Sequence, residues 1–182
     1  MKKLIIASIC LFHSVLSFSQ VQIRPLKVDI TGNSEIDILT PNDSSILMKI
    51  DKIKYEILLG NLGFESLSEL SFKNNIITIS GRNGGTGSFS WTYKFRHNSK
   101  SQKIELIGFD SFSKWVSGSI TKSINLLTGK YEITLEEYNH EKDKMETSKY
   151  TGSSKFDKIV LTEVKEGTFD KLNEVGNQYA PQ

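Results

Sequence analysis

Apolar and polar residues alternate strictly from Phe89 to Arg96. Aromatic residues occupy positions 89, 91, 93 and 95, and serine, threonine, lysine and arginine occupy the positions between them. Because successive side chains of a β-strand point to opposite faces, this pattern predicts a strand with one aromatic and one polar face. A helix would scatter the rings around its surface. Burial of all four rings, at about 150–250 Å² each, would place this strand at the centre of the core.

Short strand-like segments separated by turn residues fill most of the remaining chain. Two hairpins are clearly marked: Asn74-Asn75 separates residues 67–72 from 76–80, and Thr128-Gly129-Lys130 separates residues 120–127 from 131–138. Asparagine and glycine tolerate the left-handed backbone of tight hairpin turns. We therefore predict a mainly β fold, an antiparallel sheet of hairpins arranged as a sandwich or a partly open barrel, with a short C-terminal helix.

Weaker patterns predict the elements around these hairpins. They are an edge segment over 21–30, a brief strand over 36–39, an alternating segment over 46–59, a partner of the aromatic strand over 104–109, a loop-like stretch over 111–117, an outer strand over 145–151, a last strand over 159–164 and a helix capped by Thr168. Pro25 favours an edge position for the first of them, because proline cannot donate to a strand ladder.

The first residues have the form of a secretory signal. Met1-Lys2-Lys3 precedes an apolar run over 4–18, whose 15 residues fall short of the roughly 20 that span a bilayer. The pattern predicts a signal peptide over 1–19 and a single β-rich domain over 20–182, exported to the periplasm or the extracellular space. No membrane span is expected after cleavage. The alternative is an uncleaved N-terminal anchor.

Composition excludes several classes of function. Cys10 is the only cysteine and lies in the predicted signal, so the mature chain has no disulfide and no thiolate chemistry. Removing Lys2 and Lys3 leaves 23 − 2 = 21 basic residues against 21 acidic ones. This balance gives no general attraction to phosphate backbones, and we expect no nucleic-acid partner.

Three segments occur in a recognisable order: WTYKFR over 91–96, IELIGFD over 104–110 and SINLLTGK over 123–130. Together they resemble a group of exported bacterial proteins that typically read TYKFRYQ…FELIGYD…SINYLTGK. The resemblance covers roughly residues 66–135. It implies export and a β-rich fold, and it supplies no catalytic residues.

Several members of that group also carry a segment similar to the acidic loop of FG-GAP and VCBS repeats, D-x-N-x-D-G-x-x-D. Asp29, Asn33 and Asp37 match its first, fifth and ninth positions, whereas Thr31 and Ser34 depart from it. The resemblance implies a candidate Ca²⁺ site, although calcium prefers six to eight oxygen ligands. The alternative is a structural turn, and no other cofactor is expected.

Candidate ligand-binding residues are aromatic or basic. Trp115 and Tyr138 suit a surface that binds sugar or peptide, with core packing as the alternative. Arg82 lies in the glycine-rich stretch 81–87, which we interpret as a hairpin tip rather than a phosphate loop because a strand follows it. His97 and His140 are interpreted as exposed loop histidines.

The sequence contains neither a Gly-x-Ser-x-Gly elbow nor a His-Glu-x-x-His pair, and we assign no catalytic residue. The leading hypothesis is an exported, non-enzymatic binding module of the cell envelope, whose partner is an envelope protein or a polysaccharide. One alternative is an inhibitor or immunity-type protein that acts through residues 81–87. Another is a hydrolase with dispersed carboxylates at Asp110, Asp157 and 136–143. The oligomeric state stays open.

Overall fold

The computed structural model describes residues 23–84 and 88–179, so the predicted signal peptide lies outside it. Eleven strands and one short helix follow one another along the chain. They are β1 Leu26–Val28, β2 Asp37–Pro41, β3 Ser45–Ile50, β4 Ile53–Leu58, β5 Ser66–Lys73, β6 Ile76–Asn83, β7 Ser88–Asn98, β8 Lys103–Trp115, β9 Gly118–Asn125, β10 Lys130–Asn139, β11 Lys144–Ser153 and α1 Asp170–Glu174.

The strands form two antiparallel sheets in which every neighbour in space is also the neighbour in sequence. One sheet has the order β1-β2-β3-β4, and the other has the order β11-β10-β9-β8-β7-β6-β5. Apolar side chains of both sheets belong to one core cluster. The predicted fold class is therefore confirmed, with two sheets that do not close into a barrel. Among the described residues, no helix is long and apolar enough to cross a membrane.

The alternating segment over 46–59 is a hairpin rather than one continuous strand. Asp51 and Lys52 form its turn, with φ angles of 49° and 69°. Tertiary contacts stabilise this left-handed turn without glycine: the Asp51 amide donates to the Asp37 carboxylate at 3.0 Å, and Lys52 pairs with Glu35 at 2.6 Å. The sequence pattern does not predict this turn, because the residues that stabilise it, Asp37 and Glu35, lie elsewhere in the chain.

The aromatic strand is β7, at the centre of the larger sheet, and its four rings share one face as predicted. The prediction that all four rings are buried is wrong, however. Tyr93 and Phe95 are fully buried, Trp91 is half-buried, and Phe89 is 42% exposed. The core therefore covers only part of this strand, and its first two rings, Phe89 and Trp91, border solvent.

Both clearly marked hairpins are confirmed. Asn74 and Asn75 turn β5 into β6 with φ angles of 53° and 60°, and Gly129 turns β9 into β10 with φ 71°. The loop-like interpretation of residues 111–117 is wrong for 111–115, because β8 continues to Trp115, and only residues 116 and 117 form a turn. Its serines fit a strand since Ser111 pairs with Trp91 and Ser113 with Phe89, so small side chains face large rings.

The C-terminal segment crosses the core face of the larger sheet instead of adding a strand. The predicted strand over 159–164 is wrong: Val160 makes one isolated bridge to Glu105, and a 3₁₀ turn covers Leu161–Glu163. The short helix is confirmed as α1. Thr168 does not cap it, because the Thr168 hydroxyl instead accepts the amide of Lys165 at 2.9 Å.

Tyr93 connects the parts of the core. Its hydroxyl donates to the carbonyl oxygen of Leu62 at 2.9 Å, in the 3₁₀ turn that follows β4. Its ring lies 5.7 Å from Phe64, 5.3 Å from Phe109 of β8 and 4.2 Å from Phe169 beside α1. Burial also raises the pKa of the Tyr93 hydroxyl, so this group stays a neutral donor.

We expect Tyr93→Phe to lower the free energy of unfolding by about 1–3 kcal/mol, because the buried carbonyl of Leu62 would lose its donor. Urea denaturation at neutral pH measures the change. Tyr131→Phe is the matched control: its ring is half-buried on the same face, and its hydroxyl makes no hydrogen bond to a described residue. Equal stability losses in the two variants would contradict the role given to the Tyr93 hydroxyl.

Candidate functional site

A groove of about 610 Å³ lies on the core face of the larger sheet, where β7, β8 and β9 extend beyond the packed core. We call it the inner groove. Asn173 of α1 and Asn177, which follows that helix, form one wall. The residues that line it are Phe89, Trp91, Ser111, Phe112, Ser113, Trp115, Ser117, Ile120, Lys122, Asn173 and Asn177.

Four aromatic rings line the inner groove: Phe89 and Trp91 from β7, and Phe112 and Trp115 from β8. Phe89 and Trp91 lie nearly parallel, with centroids 6.2 Å apart and an interplanar angle of 15°. Trp91 also contacts the ring of Phe64 at 6.3 Å, which connects the groove to the core. Trp115 packs over Gly118, where a side chain would meet both the indole and the backbone of β10. The rings are therefore held by the sheet rather than by loops.

Lys122 of β9 is the one charged side chain among the described residues that line the inner groove. It is only 7% exposed, and its ammonium donates to the Asn173 carbonyl at 2.6 Å and to Asn177 Oδ1 at 2.7 Å. Both acceptors are neutral, and no described carboxylate lies within 4.0 Å. Burial lowers the pKa of Lys122, because the charged form loses hydration.

A second groove of about 500 Å³ lies on the opposite side of Trp115, and we call it the outer groove. It includes Tyr138 and His140, whose rings meet edge to face at 5.0 Å, and the exposed Met145. Tyr138 donates a hydrogen bond to the Asp143 carboxylate, which raises the pKa of the Tyr138 hydroxyl. The outer groove thus lies between the tip of the β8–β9 hairpin, residues 112–119, and the tip of the β10–β11 hairpin.

The structure brings two of the three predicted ligand-binding residues together. Trp115 borders both grooves, and Tyr138 lines the outer one. Arg82 is exposed in β6 and lines neither groove. The predicted hairpin tip over 81–87 starts later than expected, because β6 extends to Asn83 and the ring of Phe64 covers Gly81. Residues 85–87 lie outside the described part of the chain.

The two histidines differ. His140 is exposed in the β10–β11 turn, as predicted. The prediction is wrong for His97, which is a half-buried residue of β7. Its Nε2 atom is buried and has no hydrogen-bond partner among the described residues.

Backbone amides of their own loop and of the β3–β4 turn donate to the carboxylates of the candidate metal ligands. Asp29 accepts the amides of Gly32, Asn33 and Ser34 at 2.7–3.2 Å. Asp37 is buried and accepts the amides of Ile30 and Asp51. Within residues 23–84 and 88–179, no group of three or more His, Cys, Asp or Glu side chains is arranged to hold a metal ion. The calcium site stays a prediction.

The carboxylates of the hydrolase alternative engage separate partners. Asp110 accepts Lys94 and Ser123 at 2.6 Å each, Asp157 pairs with Lys171 at 2.8 Å, and Glu136 accepts Ser119 at 3.1 Å. Asp110 and Glu136 lie two strands apart and four residues apart along the ladder. Their backbones are thus about 16 Å apart, which does not favour a carboxylate pair across one bond.

No protein-family model, no curated protein and no solved structure matches this chain. The resemblance to exported bacterial proteins therefore stays a prediction, as do export and the signal peptide. The site has to be judged from its own geometry.

Sequence reasoning missed Lys122, the one charged residue among the described residues that line the inner groove. One signal was present: Lys122 alternates with Ile120 and Ile124, so it falls on the apolar face of β9. The alternating pattern of β7 also predicts that Trp91 and Phe89 are buried in the core. Such a pattern shows on which face of the sheet a residue lies, but it does not show how far along the strand that face is covered.

We expect Asp37→Asn to lower the free energy of unfolding by about 1–3 kcal/mol, because one buried amide would lose its acceptor. The loss should be the same in EDTA and in millimolar calcium, as measured by urea denaturation. Asp43→Asn, in the exposed turn between β2 and β3, is the matched control and should change little. A larger loss in calcium than in EDTA would instead support a metal at this loop.

Lys122 predicts a dependence of stability on pH. Because its folded-state pKa lies below the ordinary value of 10.5, the folded protein releases this proton before the unfolded chain does. The free energy of unfolding should therefore gain a favourable increment as pH rises from the folded-state pKa to 10.5. Urea denaturation between pH 7 and pH 10 should show this increment in the wild type and not in Lys122→Met.

Lys103→Met is the control for this pH series. Lys103 is an exposed residue paired with Glu163, which raises its pKa, so its removal should leave the increment in place. Identical pH profiles for the wild type and Lys122→Met would contradict the desolvation of Lys122.

Proposed function

We propose that this protein is a non-enzymatic binding module of the cell envelope and that its inner groove binds polysaccharide. The observation that carries the proposal is the set of four aromatic rings, Phe89, Trp91, Phe112 and Trp115, that stay partly exposed beside a wall of amides and hydroxyls. Small-molecule sites are concave, mostly apolar and equipped with a few fixed polar groups, and the inner groove has this composition.

The chemistry of a sugar ring suits these residues. A pyranose has apolar faces of C–H groups, which pack on aromatic rings, and a rim of hydroxyls, which need both donors and acceptors. Ser111, Ser113, Asn173 and Asn177 supply such groups around the rings. Residues at alternate positions along two neighbouring strands line the groove, 89 and 91 of β7 and 111, 113 and 115 of β8, and this extended lining suits a chain-like ligand.

Two observations support binding rather than hydrolysis. The carboxylates of the hydrolase alternative lie outside the lining of the inner groove, and Asp110, Glu136 and Asp157 each engage a separate partner. The aromatic rings lie on paired strands of a sheet. This support is rigid, so the rings are exposed to a ligand without any rearrangement of the backbone. An envelope protein is the second candidate partner, and exposed Val116 and Met145 beside Trp115 favour it as an additional contact.

We expect Phe89→Ala and Trp115→Ala each to weaken polysaccharide binding by about 1–2 kcal/mol, or five- to thirtyfold in Kd, because each removes a ring from the groove. Affinity electrophoresis against soluble envelope polysaccharides, followed by calorimetry on those that bind, measures the change.

Tyr138→Ala is the matched control, because this ring lines only the outer groove. It should leave the Kd unchanged, and far-UV circular dichroism should show all three variants folded. If Phe89→Ala and Trp115→Ala bind every polysaccharide as well as the wild type, the inner groove is not the binding site and the proposal fails.

A further inference from the structure

The inner groove contains a cation that the protein does not neutralise. Lys122 is more than nine-tenths buried on the sheet between Ile120 and Ile124, and it contacts two neutral acceptors, the Asn173 carbonyl and the Asn177 amide oxygen. Lysine is almost never buried to this extent unless a carboxylate accompanies it. Burying an ammonium without a counter-charge destabilises the fold, so the stability of the fold does not explain why a lysine occupies this position.

The ammonium has one donor left for a ligand. It carries three N–H groups, and the two hydrogen bonds to Asn173 and Asn177 use two of them. The third has no partner among the described residues, and the side chain lines the groove. The two bonds also fix the position of the nitrogen, which reduces the entropy that a ligand contact would cost.

Lys122 lies within reach of a sugar stacked on the aromatic rings. The strand register places Ser111 of β8 between Trp91 of β7 and Lys122 of β9. Neighbouring strands are about 4.8 Å apart, so the backbones of Trp91 and Lys122 are about 10 Å apart. Their side chains stand on the same face and approach the same ligand from two sides.

We propose that the inner groove selects acidic polysaccharide, with the carboxylate of a uronic-acid-type sugar accepting a hydrogen bond from Lys122. The inference rests on the proposed function and names its ligand class. A ligand carboxylate would supply the missing counter-charge, and a charge-assisted hydrogen bond in a water-poor site is stronger than one to a neutral hydroxyl.

The test uses matched pairs of ligands that differ only at the carboxyl group, which is charged in one member and neutral in the other. Hexasaccharides of galacturonate, glucuronate and mannuronate are each titrated as the free acid and as the methyl ester. At least one free acid should bind wild-type protein about tenfold more tightly than its ester, because esterification removes the acceptor charge.

Lys122→Gln and Lys122→Met should abolish this preference, leaving acid and ester equal. Lys114→Gln removes an exposed lysine that lines only the outer groove, and it should retain the preference, which excludes a general effect of net charge. Trp115→Ala should weaken the binding of acid and ester by the same factor, because the indole ring does not distinguish the charged carboxylate from the neutral ester. Should both Lys122 variants fail to fold, the acid-to-ester ratio of the wild type decides the matter alone.

The outcomes separate the two proposals. Trp115-dependent binding with equal affinity for acid and ester, or a preference that survives in a folded Lys122 variant, overturns the acidic selectivity and leaves polysaccharide binding intact. Absence of any Trp115-dependent saccharide binding, neutral or acidic, overturns the proposed function itself.

Discussion

The position of Tyr93 determines how the parts of this molecule fit together. Its buried hydroxyl donates a hydrogen bond to the carbonyl oxygen of Leu62. If either group were removed, no water could take its place as the partner of the other. Around the ring lie Phe64, Phe109 and Phe169, which come from three separate regions of the chain. The smaller sheet and the C-terminal segment are therefore both fixed to one residue of β7. At Trp91, two residues before Tyr93 on the same face of β7, the core ends and the inner groove starts.

Local patterns predicted the elements whose stability is local. The Asn74-Asn75 and Thr128-Gly129-Lys130 turns were correct because their residues favour left-handed backbone by themselves. The Asp51-Lys52 turn was missed because its left-handed backbone is stabilised by Asp37 and Glu35, which no short window contains. The end of β8 was missed for a similar reason: its serines are suited to a strand only by the rings opposite them.

The candidate site was predicted in part. Trp115 stood out because a bulky ring among serines is unusual, and it does border both grooves. Lys122 did not stand out, since a lysine in a strand is normally solvated, and only the packing of α1 and Asn177 over β9 reveals its burial. Burial depends on what covers a face, and the covering segment lies 51 residues away in the sequence. The calcium hypothesis, based on Asp29, Asn33 and Asp37, stays a prediction.

The order of the strands has a consequence for how the molecule is assembled. Because every strand pairs with its neighbours in sequence, the contact order within each sheet is low, and little loop-closure entropy opposes the zippering of successive hairpins. The contacts of the groove wall are different, since they join β9 to residues 51 and 55 positions later. A chain that folds from its N-terminus would thus have both sheets in place while the aromatic platform still lacks its wall. Binding competence would then arrive last, with the docking of the final described residues.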